Sequence, residues 1–253
     1  MSRAWWWVVA LAAVALAAPV LAPYAPDVLD LAHRRAAPSV AHWFGTDDLG
    51  RDVLSRVLYG GRISIAIGLL SAAVAVLVGV VVGATAGYAG GWTDSVLMRA
   101  TDAVLSMPRL LLLMVAAATL EPSVPALVLL VGAVGWMETA RITRTSVKGL
   151  LGHDYVAAAR AAGAGHLHLV RQHLIVNAAG AIRTSALLAV SRAILVESAL
   201  SFFGVGVQPP DATWGSMLYQ AQSAMATEPW LALFPGACIV ATTLALSRAA
   251  DHG

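Results

Sequence analysis

The chain has 253 residues, of which 59% are hydrophobic and 12% are charged. Soluble domains carry about 25% charged residues, so this composition indicates an integral membrane protein. The formal net charge of +2 is too small to indicate nucleic-acid binding, and the single cysteine, Cys238, excludes a disulfide within the chain.

The first predicted element is the apolar run from Trp5 to Ala22, which is 18 residues long and carries no charge. Arg3 precedes it, and the three tryptophans at its start are of the type that gathers at membrane interfaces. This length is sufficient for a transmembrane helix, which is our preferred interpretation. A cleaved signal peptide is the alternative, because small residues and prolines follow the run.

A polar connection follows, and its last part, from His42 to Ser64, reads HWFGTDDLGRDVLSRVLYGGRIS. Asp52, Arg56 and Tyr59 are spaced as i, i+4 and i+7, which predicts an amphipathic helix with ion pairs. We interpret this helix as solvated and interfacial, with a ligand role as the alternative. The segment resembles the signature G-T-D-x-x-G-R-D-x-x-S-R-x-x-x-G-x-R-x-S, which is found in C-type permease subunits of dipeptide, oligopeptide and nickel importers.

The second predicted span has its core at Ile65 to Gly87, an uncharged stretch that is long enough to cross a bilayer. Gly79, Gly83 and Gly87 recur every four residues within it. This spacing places them on one face of a helix, where small residues let a neighbouring helix pack closely. The pattern predicts an interhelical seam, and ordinary glycine usage in membrane helices is the alternative.

Gly90 to Arg109 is a polar turn and the start of a third span, GGWTDSVLMRATDAVLSMPR. It resembles the segment G-G-W-x-D-x-x-x-M-R-x-x-D-x-x-x-x-x-P of the same permease subunits. Pro108 is expected to bend the helix or to begin its membrane part, and the span then runs to about Thr119. A fourth span is expected at about Val124 to Thr139. Basic residues follow it and mark a cytoplasmic end: Arg141, Arg144 and Lys148.

The segment from His153 to Asn177, HDYVAAARAAGAGHLHLVRQHLIVN, is polar and basic although long apolar runs flank it. Asp154 is predicted to cap a short helix by accepting backbone N–H bonds. The alanine-rich run Tyr155 to Ala162 favours helix, Gly163 supplies a left-handed stop, and a second helical run, His166 to Val176, follows. A helix with so little side-chain bulk lets a partner approach its backbone. We therefore interpret it as a docking helix, with an ordinary surface helix as the alternative.

This segment resembles the EAA loop of membrane subunits from binding-protein-dependent ABC importers. The likeness lies in AAARAAG at Ala157 to Gly163 and in HLIVN at His173 to Asn177. Ala157 stands where the family has its first glutamate, and Val176 stands where it has a proline. The resemblance implies a cytoplasmic loop whose short helix inserts into a groove of a separate ATPase subunit. The residues that it implies for this coupling are Asp154, Tyr155, Ala157, Ala158, Ala159, Arg160, Gly163, His173 and Asn177.

A fifth span is expected at about Ile182 to Val205, and it carries Arg192 and Glu197 at membrane depth. Such charges usually face a bundle interior or an aqueous path. The two lie five residues apart, so they are not ideal helical neighbours. We expect Glu197 to face protein or water, and Arg192 to reach toward the cytoplasmic interface.

Ser201 to Leu218 reads SFFGVGVQPPDATWGSML and resembles S-F-L-G-L-G-x-Q-P-P-x-P-x-W-G-x-M-L of the same permease subunits. Its glycines and prolines break the helix, and broken backbone at membrane depth requires burial in protein or a cavity. An external hairpin is the alternative. A sixth span follows at about Trp230 to Ser247. The candidates for the pathway or for helix packing are Glu197, Arg192, Gln208 and Trp214.

The sequence lacks the motifs of common catalytic and metal sites. A P-loop requires G-x-x-x-x-G-K-[ST], but Lys148 is the only lysine and a glycine follows it. No H-E-x-x-H pair is present either. We interpret the histidines of the docking segment as solvated, with His166 and His173 able to share a face that His168 cannot easily join. We therefore predict no catalytic residue, no metal site and no cofactor in this chain.

The sequence thus predicts an all-α integral membrane protein with six transmembrane helices, and the resemblance implies the type I ABC importer permease fold. Residues 1–62 would form an N-terminal transmembrane anchor and an external or interfacial connection. Residues 63–253 would form a five-helix core that contains the coupling loop, residues 150–180. Both termini are expected in the cytoplasm, because most basic residues then fall on cytoplasmic segments. The exceptions are Arg192, which lies within a span, and the arginines of the first external loop. We expect the latter along the headgroups or matched by Asp47, Asp48 and Asp52.

The resemblance implies a permease subunit of an ATP-driven importer in the cell membrane, forming half of a pathway for di- or oligopeptides. It also implies a heterodimer with a B-type permease subunit, two ABC ATPase subunits that hold ATP and Mg²⁺, and an extracytoplasmic substrate-binding protein. A nickel or opine importer is an alternative within the same family. From the residues alone, an ion-coupled secondary transporter or channel with Arg192 and Glu197 as its ion site stays open, and a membrane-bound enzyme is a third alternative.

Overall fold

The structure, a computed structural model, describes Val9, Ala13, residues 15–120 and residues 123–251. Within these ranges the chain is helical and contains no strand, although Thr46 and Asp52 form an isolated antiparallel bridge. The α-helices in chain order are α1 (Ala18–Leu21), α2 (Val53–Ala89), α3 (Gly91–Leu105), α4 (Arg109–Ala118), α5 (Val124–Leu150), α6 (Asp154–Ala161), α7 (His166–Phe202), α8 (Trp214–Ala221) and α9 (Trp230–Asp251).

Four of these helices, α2, α5, α7 and α9, are long and apolar enough to cross a membrane. Helices α3 and α4 pass the same test as a pair that is bent by 81°, so the described residues hold up to five spans. Of the 18 residues of the predicted first span, Trp5 to Ala22, eight lie outside the described residues, so the structure does not test this span. The all-helical membrane architecture is therefore confirmed, whereas the count of six spans stays a prediction.

Helix α2 packs against α5 along its glycine face. A side-chain carbon added at Gly79 would lie 2.7 Å from atoms of α5, and one at Gly87 would lie 2.9 Å from a carbonyl oxygen of α5. At Gly83 the added carbon would collide with the carbonyl group of Ala140. Only glycine allows this approach at all three positions, so the predicted interhelical seam is confirmed.

The first turns of α2 are buried, which corrects our interpretation of this segment as a solvated interfacial helix. Val53 and Val57 lie in a core cluster with Trp214 of α8 and Leu231 of α9, and Arg56 is only 2% exposed. The local pattern of polar residues could not show this, because the helices that cover the segment come from the far end of the chain. The division predicted after residue 62 falls inside α2 and stays a prediction.

The charges of this segment find partners other than those suggested by helical spacing. Asp52 precedes α2 and caps its first turn, and its carboxylate lies 3.0 Å from Nδ1 of His42. Because Asp52 is a cap, it does not share a helical face with Arg56. Arg56 instead lies 3.5 Å from the carboxylate of Asp47, which Arg51 also contacts at 2.6 Å. The expectation that carboxylates match the arginines of this segment is thus confirmed for Arg51 and Arg56.

Pro108 lies between α3 and α4, where the chain bends by 81°, so the predicted bend is confirmed. Asp94 of α3 accepts hydrogen bonds from Arg144 through both carboxylate oxygens. It also accepts one from Lys148 at 2.8 Å. The basic end of α5 therefore has a structural role, because it ties α3 to the α2–α5 pair.

Helix α7 is continuous from His166 to Phe202, which corrects two predicted boundaries. We expected a docking-loop helix that ends at Val176 and a separate span that begins at Ile182. The single glycine between them, Gly180, costs a helix only about 1 kcal/mol relative to alanine, and packing elsewhere along the helix offsets this. The last span is likewise longer than predicted, because α9 continues past Ser247 to Asp251.

After α7 the chain turns at Gly204, which has a φ of +81°, and returns toward the bundle as α8. Trp214 and Met217 of α8 are buried in a core cluster with Val53 and Val57 of α2 and Leu231 of α9. A side-chain carbon added at Gly215 would lie 2.6 Å from the Cα of Ser198, so the two backbones are in direct contact. Gly206 and Val207 of the broken segment are buried, whereas Gln208 to Asp211 are exposed. That this segment lies at membrane depth, and not in an external hairpin, therefore stays a prediction.

Candidate functional site

Helix α6, on the loop between α5 and α7, is exposed and is held at one buried residue. Val156 is completely buried, in a cluster with Val147 of α5 and Leu169 and Leu174 of α7. The remaining surface of the helix is available to a partner. Its exposed members are Asp154, Tyr155, Ala157, Ala158, Arg160 and Ala161, and Ala159 is half-buried.

The structure tests one prediction at each end of α6. His153 is the N-cap residue and Asp154 is the first helical residue, so the predicted Asp154 cap is wrong. A side chain inside the first turn is not placed to accept from N–H groups as a cap does, although its charge still favours the positive end of the helix. At the other end Gly163 has a φ of +87° and donates its N–H to the carbonyl of Arg160 at 3.0 Å. The predicted left-handed stop is confirmed.

Four ring side chains form a row beside α6. The ring centres of His153 and Tyr155 are 5.7 Å apart, those of Tyr155 and His173 are 6.4 Å apart, and those of His173 and His168 are 5.6 Å apart. Asn177 donates its side-chain N–H to the carbonyl of His173 at 2.5 Å. The structure therefore brings both halves of the predicted coupling segment onto one exposed surface.

The pairing of histidines differs from our expectation that His166 and His173 share a face. Leu169–Leu174 is a π-helical stretch, in which residues five apart lie one above the other. This geometry places His168 beside His173. His166 instead lies against Tyr88, with its Nδ1 2.5 Å from the tyrosine hydroxyl. In the part of the chain that the structure describes, no three His, Cys, Asp or Glu residues are grouped so that they could hold a metal ion.

Glu197 of α7 is 0% exposed, so the prediction that it faces protein rather than lipid is confirmed. Ser201 donates its hydroxyl to the carboxylate at 2.7 Å, and the hydroxyl of Ser64 in α2 lies 3.5 Å away. Ser64 also accepts the backbone N–H of Trp214 at 3.1 Å, and the indole N–H of Trp214 donates to the carbonyl of Val57 at 3.0 Å. Glu197 and Trp214 thus belong to one polar cluster that joins α2, α7 and α8.

Arg192 lies apart from that cluster, since its Nε is 3.1 Å from the carboxylate of Glu138 in α5. Arg109, at the start of α4, lies 3.6 Å from the same carboxylate. The expectation that Arg192 reaches toward the cytoplasmic interface stays a prediction. Gln208 is exposed and donates its side-chain N–H to two carbonyls of its own loop, at 3.1 and 3.2 Å.

Sequence reasoning missed Glu138 and Arg109 as members of a charge cluster and Val156 as the anchor of α6. A signal exists for Glu138, because it interrupts the apolar run of the fourth predicted span and a carboxylate at membrane depth needs a partner. No local signal singles out Val156, since one valine in an alanine-rich helix is unremarkable.

The geometry defines a multi-pass membrane protein that presents a short exposed helix on a loop between two spanning helices. Residues 79–252 match the family described as "Binding-protein-dependent transport system inner membrane component", and the chain belongs to this family. Its fold is that of the type I ABC importer permeases, which confirms the resemblance seen in the sequence. The chain is accordingly a permease component of an ABC importer and not a catalytic subunit.

Similar proteins support this assignment over most of their length. The "Dipeptide transport system permease protein DppC" of Bacillus subtilis is 36% identical over 91% of this chain and 72% of its own length. The "Oligopeptide transport system permease protein OppC" of the same organism is 35% identical over 96% of this chain and 80% of its own length. The "Probable D,D-dipeptide transport system permease protein DdpC" of Escherichia coli is 37% identical over 92% of this chain and 78% of its own length.

Proposed function

We propose that this chain is the C-type permease subunit of an importer for di- or oligopeptides. The names of the three relatives support the substrate class, because each aligns with most of this chain. We place it in the cell membrane with both termini in the cytoplasm. The basic residues at the end of α5 and around α6 support this orientation, since such residues favour the cytoplasmic side.

The exposed helix α6 is the observation that carries the coupling part of the proposal. Its free surface suits insertion into a groove of a separate ABC ATPase subunit. Val156 connects it to the ends of α5 and α7, so a displacement of α6 is passed to two spanning helices. In this proposal two ATPase subunits bind ATP and Mg²⁺, and their closure moves α6 and reorients the spans.

The remaining partners in this proposal complete the pathway. A B-type permease subunit supplies the other half of it, and an extracytoplasmic binding protein delivers the solute. A nickel or opine importer is the alternative cargo. An ion-coupled transporter that uses Arg192 and Glu197 as one ion site gains no support, because each of these side chains has its own separate partners.

Reconstitution of the four types of subunit in proteoliposomes tests this function. We expect a dipeptide-loaded binding protein, added outside, to stimulate ATP hydrolysis and to drive dipeptide uptake that requires ATP. Liposomes without the binding protein are the control and should show neither. Uptake that follows an imposed ion gradient without ATP would contradict the proposal, and uptake of nickel or opines without peptide would overturn its substrate class.

A further inference from the structure

Three charged side chains from three helices meet at one point of the bundle. Arg109 of α4 and Arg192 of α7 lie 3.6 Å and 3.1 Å from the carboxylate of Glu138 in α5. We call these residues the arginine–glutamate cluster. Two guanidinium groups share one carboxylate, so the cluster carries a formal charge of +1. Each side chain is about one third exposed, at 27%, 32% and 33% for Arg109, Arg192 and Glu138.

The cluster lies within the membrane-spanning helices. At a rise of about 1.5 Å per residue, Glu138 is about 21 Å from the start of α5 at Val124 and about 5 Å from Arg141, the first of its basic residues. Arg192 is about 15 Å from the end of α7 at Phe202 by the same measure. Charges exposed to lipid within the bilayer are unfavourable. The exposed side of the cluster therefore faces another protein surface or an aqueous path.

The surroundings leave unused donors beside the arginines. The neighbouring residues are mostly small, Ala72, Gly135 and Ala189 among them, and they surround a cavity with room for about one water molecule. Within the described ranges, Nε of Arg109 and Nη2 of Arg192 are buried donors without a hydrogen-bond partner, and Oε2 of Glu138 is a buried acceptor without one. An unpaired buried donor is unfavourable, so the cluster favours the arrival of an acceptor.

We propose that the arginine–glutamate cluster binds a carboxylate of the transported solute as it crosses the membrane, which rests on the function proposed above. For a peptide this group is the C-terminal carboxylate. A planar guanidinium binds a carboxylate through two parallel hydrogen bonds, and a second guanidinium adds charge. One bound carboxylate brings the formal charge of the cluster to zero. Glu138 limits the attraction, because without it the two arginines would hold the solute with a charge of +2.

Peptide uptake by the complete reconstituted transporter tests this inference through opposite effects of two substitutions. We expect Arg192→Gln to raise the KM for uptake of a dipeptide about tenfold, because a hydrogen-bonded charge pair is lost. We expect Glu138→Gln to lower that KM, because the cluster then carries a charge of +2. Arg192→Lys keeps the positive charge but cannot form the two parallel hydrogen bonds of a guanidinium, so it should give an intermediate KM. If Arg192→Gln fails to assemble, Arg192→Lys replaces it in the comparison.

A structural ion-pair role predicts a different pattern and would overturn the inference. In that case Arg192→Gln and Glu138→Gln would both lower the unfolding temperature and change uptake in the same direction. Loss of the B-type subunit on purification of Arg192→Gln would assign the site to a carboxylate of that partner instead. If wild-type protein transports dipeptide and all three variants match its KM, the inference fails while the proposed function stands.

Discussion

A Gly163→Leu variant is expected to fold and insert normally but to lose about tenfold in affinity for the ATPase subunits, with a matching loss of uptake. At a φ of +87° an L-residue is disfavoured by about 1–2 kcal/mol, so the end of α6 is displaced. A side-chain carbon at Gly163 meets no described atom within 4 Å, so the fold itself has room for the substitution. Titrated pull-down of the ATPase subunits and stimulated ATP hydrolysis measure the two effects.

Two control variants separate backbone conformation from side-chain bulk. Gly149→Leu adds the same bulk in the last turn of α5, also in open space but with helical backbone, and should behave like the wild type. Gly163→Asn should be intermediate, because asparagine tolerates the left-handed region. Normal coupling in Gly163→Leu, or an equal loss in Gly149→Leu, would contradict the role assigned to this turn.

A Gly83→Leu variant is expected to have the largest effect on stability. The added carbon collides with the carbonyl of Ala140 and lies 2.8 Å from Cβ of Thr143, and leucine brings three carbons more. Overpacking of a closed contact costs about 1–3 kcal/mol, occasionally more, and here it forces α2 and α5 apart. We expect a lower unfolding temperature in detergent and a reduced yield of membrane-inserted protein.

Gly180→Leu is the matched control for this effect. Gly180 is also helical, in α7, but a side-chain carbon there meets nothing within 4 Å among the described residues. We expect unchanged or slightly higher stability, because leucine favours helix more than glycine does. A Gly83→Leu protein with the unfolding temperature of the wild type would show that the seam is looser than the structure indicates.

The sequence was sufficient wherever the determining signal is local. The lengths of the apolar runs predict α2, α5 and α9, although the real helices extend beyond the apolar parts. The repeat of Gly79, Gly83 and Gly87 predicts the α2–α5 seam because the spacing alone fixes a helical face. Gly163 predicts a left-handed turn because few other residues adopt that backbone readily.

The remaining features depend on contacts between distant segments or on helix type. The burial of Arg56 requires α8 and α9, which the amphipathic pattern around it cannot reveal. The partner of Arg192 is Glu138, on another helix, and not Glu197 on its own. His168 meets His173 only because the intervening turn is π-helical, and an ideal α-helix would separate them.

The central claim, that α6 contacts the ATPase on the cytoplasmic side, is tested most directly by site-specific crosslinking. Cys238 is the only native cysteine, so a Cys238→Ala background accepts a single new cysteine at exposed Ala158. We predict a crosslink from that position to an ATPase subunit in intact membranes. A cysteine at Val40, which is 95% exposed in the first polar connection, should give none. Labelling of the Ala158 cysteine by an impermeant external reagent, with no ATPase adduct, would contradict the account.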